Sequence, residues 1–160
     1  MNSHDPVQDD EELYRNVRGK LEDKEYSIQD GKLIIEPHAF WDPAKIPDHK
    51  NPSVDRAKLK NFDPSSALLS KANGIVSINA GDVRAIGTVK TKHENEVIAE
   101  HAVDVIPDPT CDNPAHAIII VKPELFGSKN KQKKAFSLLQ IALARLATKN
   151  GWTLEPNLQQ

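Results

Sequence analysis

The stretch from 107 to 121, PDPTCDNPAHAIIIV, places Cys111, Asp112, Asn113 and His116 within six positions. An imidazole held beside a carboxylate can move a proton near neutral pH. Three prolines, Pro107, Pro109 and Pro114, stiffen the loop that would carry these groups. A second cluster, SVDRA at 53–57, supplies Ser53, Asp55 and Arg56. There a guanidinium could bind an anion while Asp55 orients it, and Arg15 offers a second guanidinium. A third cluster, Lys129, Lys131, Lys133 and Lys134, contains no acid. It would suit phosphate, a nucleic-acid backbone or an acidic protein surface.

Each cluster also has a purely structural reading. His116 could satisfy the backbone of its own loop. SVDRA could be the start of a helix with a surface Asp and Arg, and the lysines could be a solvated face. Cys111, Asp112, His116 and His101 could be assembled into a zinc set. However, the chain has one cysteine and neither a CxxC nor an HExxH, so no metal is expected. Cys111 has no cationic sequence neighbour to favour its thiolate and reads as a bystander. There is no GxSxG, P-loop or GxGxxG, so no cofactor is expected.

The elements that would position these residues follow from pattern. Leu13–Val17 reads as a short strand or a helix start, and Lys32–Ile35 as a strand ended near Pro37. Asx–Pro pairs recur at Asp5, Asp42, Asn51, Asp63, Asp108 and Asn113. Proline pushes its predecessor out of the helical region, and the Asx side chain then accepts from amides just downstream. Two of these pairs predict capped helices over 53–59 and 64–72. IVSIN (75–79) is a strand, and 80–87 a short helical turn closed by Gly87. In 96–106, Ala99, His101, Val103 and Val105 share one face; Ile98, Glu100, Ala102 and Asp104 share the other. The 115–121 segment is apolar on both faces, as in a central strand. Pairing the two as a hairpin with Val105 opposite Ala115 would put Asp104 beside His116, a candidate dyad. The long segment from Lys129 is a helix with an apolar stripe at Ala135, Leu138, Leu139, Ala142 and Leu146, ended at Gly151. The resulting fold class is α+β: a small, mostly antiparallel sheet with short capped helices and a long C-terminal helix on one face.

With 160 residues, one domain is expected, spanning 12–155. An acidic, unstructured segment at 1–11 precedes it and a tail at 156–160 follows. A net charge of −2 gives no global case for nucleic acid or an anionic membrane. Aromatics are 5%, and Phe136 alone lies among the lysines, which argues against base stacking. No segment has the roughly 20 apolar residues needed to span a bilayer. The opening residues lack an apolar signal core, and the single cysteine precludes an internal disulfide. A cytoplasmic location is expected.

Leu13-Tyr14-Arg15, Ala39-Phe40, Ser53 to Ala57 and Asp112 to Ala117 together resemble segments shared by a scattered group of small prokaryotic proteins. The resemblance implies a common fold and brings no activity with it. Cys111 stands where those proteins more usually have proline.

Two functions follow as expectations. The first is an interaction or accessory module that binds another protein through Lys129, Lys131, Lys133 and Lys134, with Asp112 and Asn113 as further binding candidates. The alternative is a small toxin-like or defence-associated enzyme on a phosphate-containing substrate, a nuclease or nucleotide transferase. It would use His116, Asp104, Arg56 and Arg15. The two part on whether Arg15, His38, Arg56 and His116 meet in one pocket.

Overall fold

The computed structural model describes residues 2–41 and 51–157. Nine strands are present among them: β1 (Glu12–Val17), β2 (Tyr26–Gln29), β3 (Lys32–Ile35), β4 (Ser53–Arg56), β5 (Gly74–Asn79), β6 (Thr88–His93), β7 (Glu96–Pro107), β8 (His116–Lys122) and β9 (Trp152–Leu154). Two helices accompany them, α1 (Ala80–Ala85) and α2 (Lys129–Asn150). Seven strands form one antiparallel sheet in the order β6-β7-β8-β4-β1-β5-β9, and β2–β3 is a separate hairpin. The α+β expectation is met. Asp30 and Gly31, and likewise Glu94 and Asn95, have positive φ. That is the backbone of the tight two-residue turns which suit twisted hairpins.

The face carrying Leu13, Val17, Val54, Val76, Ile78, Val103, Val105, Ala117 and Ile119 is buried under α2. The helix buries Ala135, Phe136, Leu139, Leu143 and Ala147, while Leu138 is 47% exposed. The expected stripe is therefore turned. Phe136 and Leu143 offer more apolar area than Ala142, and successive helical residues point about 100° apart. Leu138 consequently swings out to solvent when they swing in. The opposite sheet face bears a smaller cluster of Tyr14, Ala57, Ala67 and Ile75.

Three further expectations are overturned. Residues 53–56 are a strand between β1 and β8, where ladder pairing and the burial of Val54 outweigh the capping habit of Asn51-Pro52. The 64–72 helix is only a 3-10 turn, Pro64–Ala67, although Asp63 does cap it by accepting from Ser65 N. The acidic N-terminus is not loose: Val7 and Glu11 are buried, and Gly81 N donates to the Asp9 carbonyl. Asp42-Pro43 lies outside the described residues, as does the end of the tail; Trp152 and Leu154 pair with β5.

The β7–β8 hairpin exists with a different register. Val105 faces Ile119 and Asp104 faces Ile120. The two strands run on to Pro107 and Ala117, so the connection is shorter than expected. The slip from the expected pairing is an even number of residues, which keeps every side chain on its predicted face. It nonetheless carries Asp104 away from His116.

Candidate functional site

Paired residues join β1 to β4 at Leu13–Arg56 and Tyr14–Asp55. Beyond Tyr14 a cleft of about 190 Å³ opens, with Arg15, Arg18, Ser53, Asp55, Asn113 and His116 among the residues that line it. Asp55 is the direct strand neighbour of both Tyr14 and His116, so the three form a row across β1, β4 and β8. Arg56 N donates to the Ala115 carbonyl. This makes Asp55–His116 a non-hydrogen-bonded pair, the kind in which opposing side chains lie closest.

The Asx–Pro loop fixes this wall. Asn113 N donates to Thr110 Oγ1 at 2.9 Å, and Asn113 Oδ1 accepts from Ala115 N at 3.2 Å. Asn113 Nδ2 donates to Asp55 Oδ1 at 2.7 Å. His116 Nδ1 lies 2.9 Å from the carbonyl oxygen of Asp108 and 3.1 Å from its carboxylate Oδ2. A carbonyl can only accept, so Nδ1 carries a proton, and in the neutral ring Nε2 presents a lone pair. Among the described residues, neither Nε2 of His116 nor Oδ2 of Asp55 has a hydrogen-bond partner. The arrangement is a carboxylate behind an oriented imidazole, with the partner being Asp108 rather than Asp104.

The remaining sequence candidates are distributed as follows. Arg15 is at the cleft but also structural: Nε donates to the Ala39 carbonyl at 2.9 Å, Nη1 to the Ser53 carbonyl at 2.8 Å, and the guanidinium sits 5.7 Å from the centre of the Phe40 ring. Arg56 is not at the cleft. It is fully buried on the opposite face in a bidentate pair with Glu11, Nε–Oε1 and Nη2–Oε2 both 2.9 Å, and donates to the Asp5 carbonyl at 2.9 Å. Burial works to raise the Glu11 carboxyl, but its hydrogen bonds from Arg56 and from Gln8 N outweigh this and hold it below the usual range. Asp104 is engaged by Arg84 at 2.8 Å. Burial likewise opposes its ionisation, and Arg84 and the Val105 amide overcome that, leaving the carboxyl below its ordinary value. Arg84 also reaches Asp9 at 2.6 Å and the Val7 carbonyl at 2.7 Å. Two arginines thus clamp residues 3–11 to the domain.

His38 lines a separate depression with Tyr26 and Ile28. His101 is fully buried on the α2 face: Nδ1 donates to the Pro123 carbonyl, so Nε2 accepts from Thr91 Oγ1, each at 2.6 Å. The zinc set suggested by Cys111, Asp112, His101 and His116 is therefore divided between faces, with Cys111 and Asp112 exposed. Among the described residues, no group of three or more His, Cys, Asp or Glu could hold a metal ion.

Lys129, Lys133 and Lys134 are exposed, and Lys131 Nζ contacts His93 Nδ1 at 2.7 Å. None of the four pairs with a carboxylate among the described residues. On the same helix Lys134, Leu138, Ile141 and Arg145 follow one another at steps of four, three and four, so they share a stripe. Leu138 is 47% and Ile141 36% exposed. Sequence reasoning missed Asp108, Glu11, Arg84 and Arg18. Asp108 was within reach of the correct register; Glu11 and Arg84 are joined to their partners by folding across 20 to 77 residues, and Arg18, just past the end of β1, lines the cleft only through the tertiary fold.

No family model matches the chain, and no curated protein or solved structure matches it. Among the described residues, no helix is long and apolar enough to cross a membrane.

Proposed function

We propose that the chain is an interaction module that docks an acidic partner protein on the exposed face of α2. The observation that carries this reading is the basic–apolar stripe. Lys129, Lys133 and Lys134 form no ion pair with a carboxylate among the described residues and lead into Leu138, Ile141 and Arg145. Apolar residues rimmed by charge of one sign favour a partner with the complementary pattern, because the charges steer association and the apolar centre is desolvated. The test is co-purification of a partner with the full chain from its own cells, for wild type and for a variant with Lys131, Lys133 and Lys134 all changed to Glu. The partner is expected to be acidic, to dissociate as salt rises, and to be lost from the variant. Retention on the charge-reversed chain would overturn the reading.

A second reading, a small enzyme acting on a phosphate-containing substrate, has the Asp108–His116 geometry in its favour. It lacks the expected convergence, since Arg56, Asp104 and His38 lie away from the cleft. Hydrolysis of a generic phosphodiester by the wild-type chain, abolished by His116→Gln, would support it; equal rates with and without His116 would discard it.

A further inference from the structure

The cleft between β1, β4 and β8 lies apart from the α2 face and has a wall and a rim of opposite character. On the wall, Asp55 and His116 are each anchored through one heteroatom, to Asn113 and Asp108, and the other heteroatom of each has no partner among the described residues. Two acceptors, one of them charged, lie on neighbouring strands. A single hydroxyl proton could satisfy only one of them, whereas an ammonium has three donors and the complementary charge. On the rim, Arg18 is half exposed and meets Glu25 through Nε at 3.3 Å. Among the described residues no hydrogen bond holds its Nη atoms, which leaves them able to receive a carboxylate in a fork.

We propose that this cleft binds a small zwitterion of dipeptide size, with its ammonium between Asp55 Oδ2 and His116 Nε2 and its carboxylate on Arg18. The size follows from the strand. Arg18 lies four residues beyond Tyr14, the strand partner of Asp55, or about 13 Å along β1 and its continuation at ~3.3 Å per residue. The Arg18 side chain spans part of that distance. An α-amino acid carries both charges on one carbon and is too short for the remainder; a dipeptide adds one Cα step of about 3.8 Å. The volume of about 190 Å³ agrees, lying below the ~300 Å³ at which pockets for drug-sized ligands begin. The wall is already built: the Asn113 loop and the Asp108 carbonyl hold both acceptors in place, so binding need not order them.

The experiment is an amide chemical-shift titration of the full chain with glycylglycine. The comparison probes are glycine, N-acetylglycylglycine (no ammonium) and glycylglycine amide (no carboxylate). Glycylglycine is expected to shift Asp55, Asn113, His116 and Arg18 saturably. The three other probes are expected to bind about tenfold more weakly or worse, as loss of a charge-assisted contact implies. Asp55→Asn and Arg18→Gln should each weaken glycylglycine binding by about tenfold while keeping the wild-type spectrum elsewhere. Arg18 is half exposed, so its variant will fold even if Asp55→Asn does not. No saturable shift in wild type, equal binding of glycine or of either capped probe, or unchanged binding by Arg18→Gln would each overturn the proposal.

Discussion

Arg56→Ala is the most informative perturbation of the fold. Arg56 and Glu11 are both fully buried and joined by two hydrogen bonds of 2.9 Å. Arg56 also donates to the carbonyls of Asp5 at 2.9 Å, Ser3 at 3.3 Å and Pro6 at 3.4 Å. Truncation leaves the Glu11 carboxylate buried with, among the described residues, the Gln8 amide at 2.7 Å as its remaining donor. Removing one partner of a buried ion pair costs about 3–5 kcal/mol, a large share of the ~5–15 kcal/mol that holds a domain together. With a urea slope of about 2 kcal/mol per molar, the unfolding midpoint should fall by about 2 M. The double variant Glu11→Gln with Arg56→Met leaves no charge at this buried pair, and should lose much less than the sum of the single variants. The same pair sets a pH dependence. Glu11 is depressed in the folded state, so its contribution is complete above the ordinary carboxylate value and is lost as pH falls through the depressed one. Asp104 acts in the same direction. Glu25 acts in the opposite one: burial raises its carboxyl, against the hydrogen bond from Arg18 N and nearby cations. Its contribution is present at low pH and is lost as pH rises through the raised value. A midpoint shift corresponding to less than about 1 kcal/mol for Arg56→Ala, or strict additivity in the double variant, would refute the argument that this pair anchors residues 3–11.

Leu139 is fully buried and Leu138 is 47% exposed. Leu139→Ala should cost about 2–5 kcal/mol and Leu138→Ala within ~0.5 kcal/mol, read as melting temperatures; equal losses would contradict the orientation of α2. Gly19→Ala places a methyl group against the Ala72 carbonyl. Its backbone must move, at a cost of about 1–3 kcal/mol in urea unfolding, and an unchanged midpoint would refute the close approach. In Asp108→Ala the carbonyl bond to His116 remains but the carboxylate is lost. The ¹⁵N shifts of His116 should keep the Nδ1–H tautomer, because the carbonyl can only accept; a switch to the Nε2–H tautomer would show that the Asp108 carbonyl does not orient the ring.

Where local pattern and global burial agreed, the chain's order was legible in its residues. Lys32–Ile35, the 75–79 strand, the 80–87 turn and the long C-terminal helix rest on hydrophobic period and capping chemistry, which act over a few residues. The face assignment of β7 and β8 was legible for a related reason: alternation has a period of two, so even a mistaken register left Val103, Val105, Ala117 and Ile119 facing the core. Register itself was not legible, because the apolar run IIIV pairs almost equally well after a slip of an even number of residues. That slip decides whether His116 meets Asp104 or Asp108. Nor could local reasoning find β4. Asn51-Pro52-Ser53 has the chemistry of a helix cap, and only its position between β1 and β8 makes it a strand. Arg56 looked like a surface anion binder for the same reason; strand parity turned it inward, where Glu11, 45 residues away, supplies the charge that makes its burial tolerable. Composition and spacing set which chemistry the chain could offer. Long-range pairing decided which groups were consumed as structure and which were left facing a cleft.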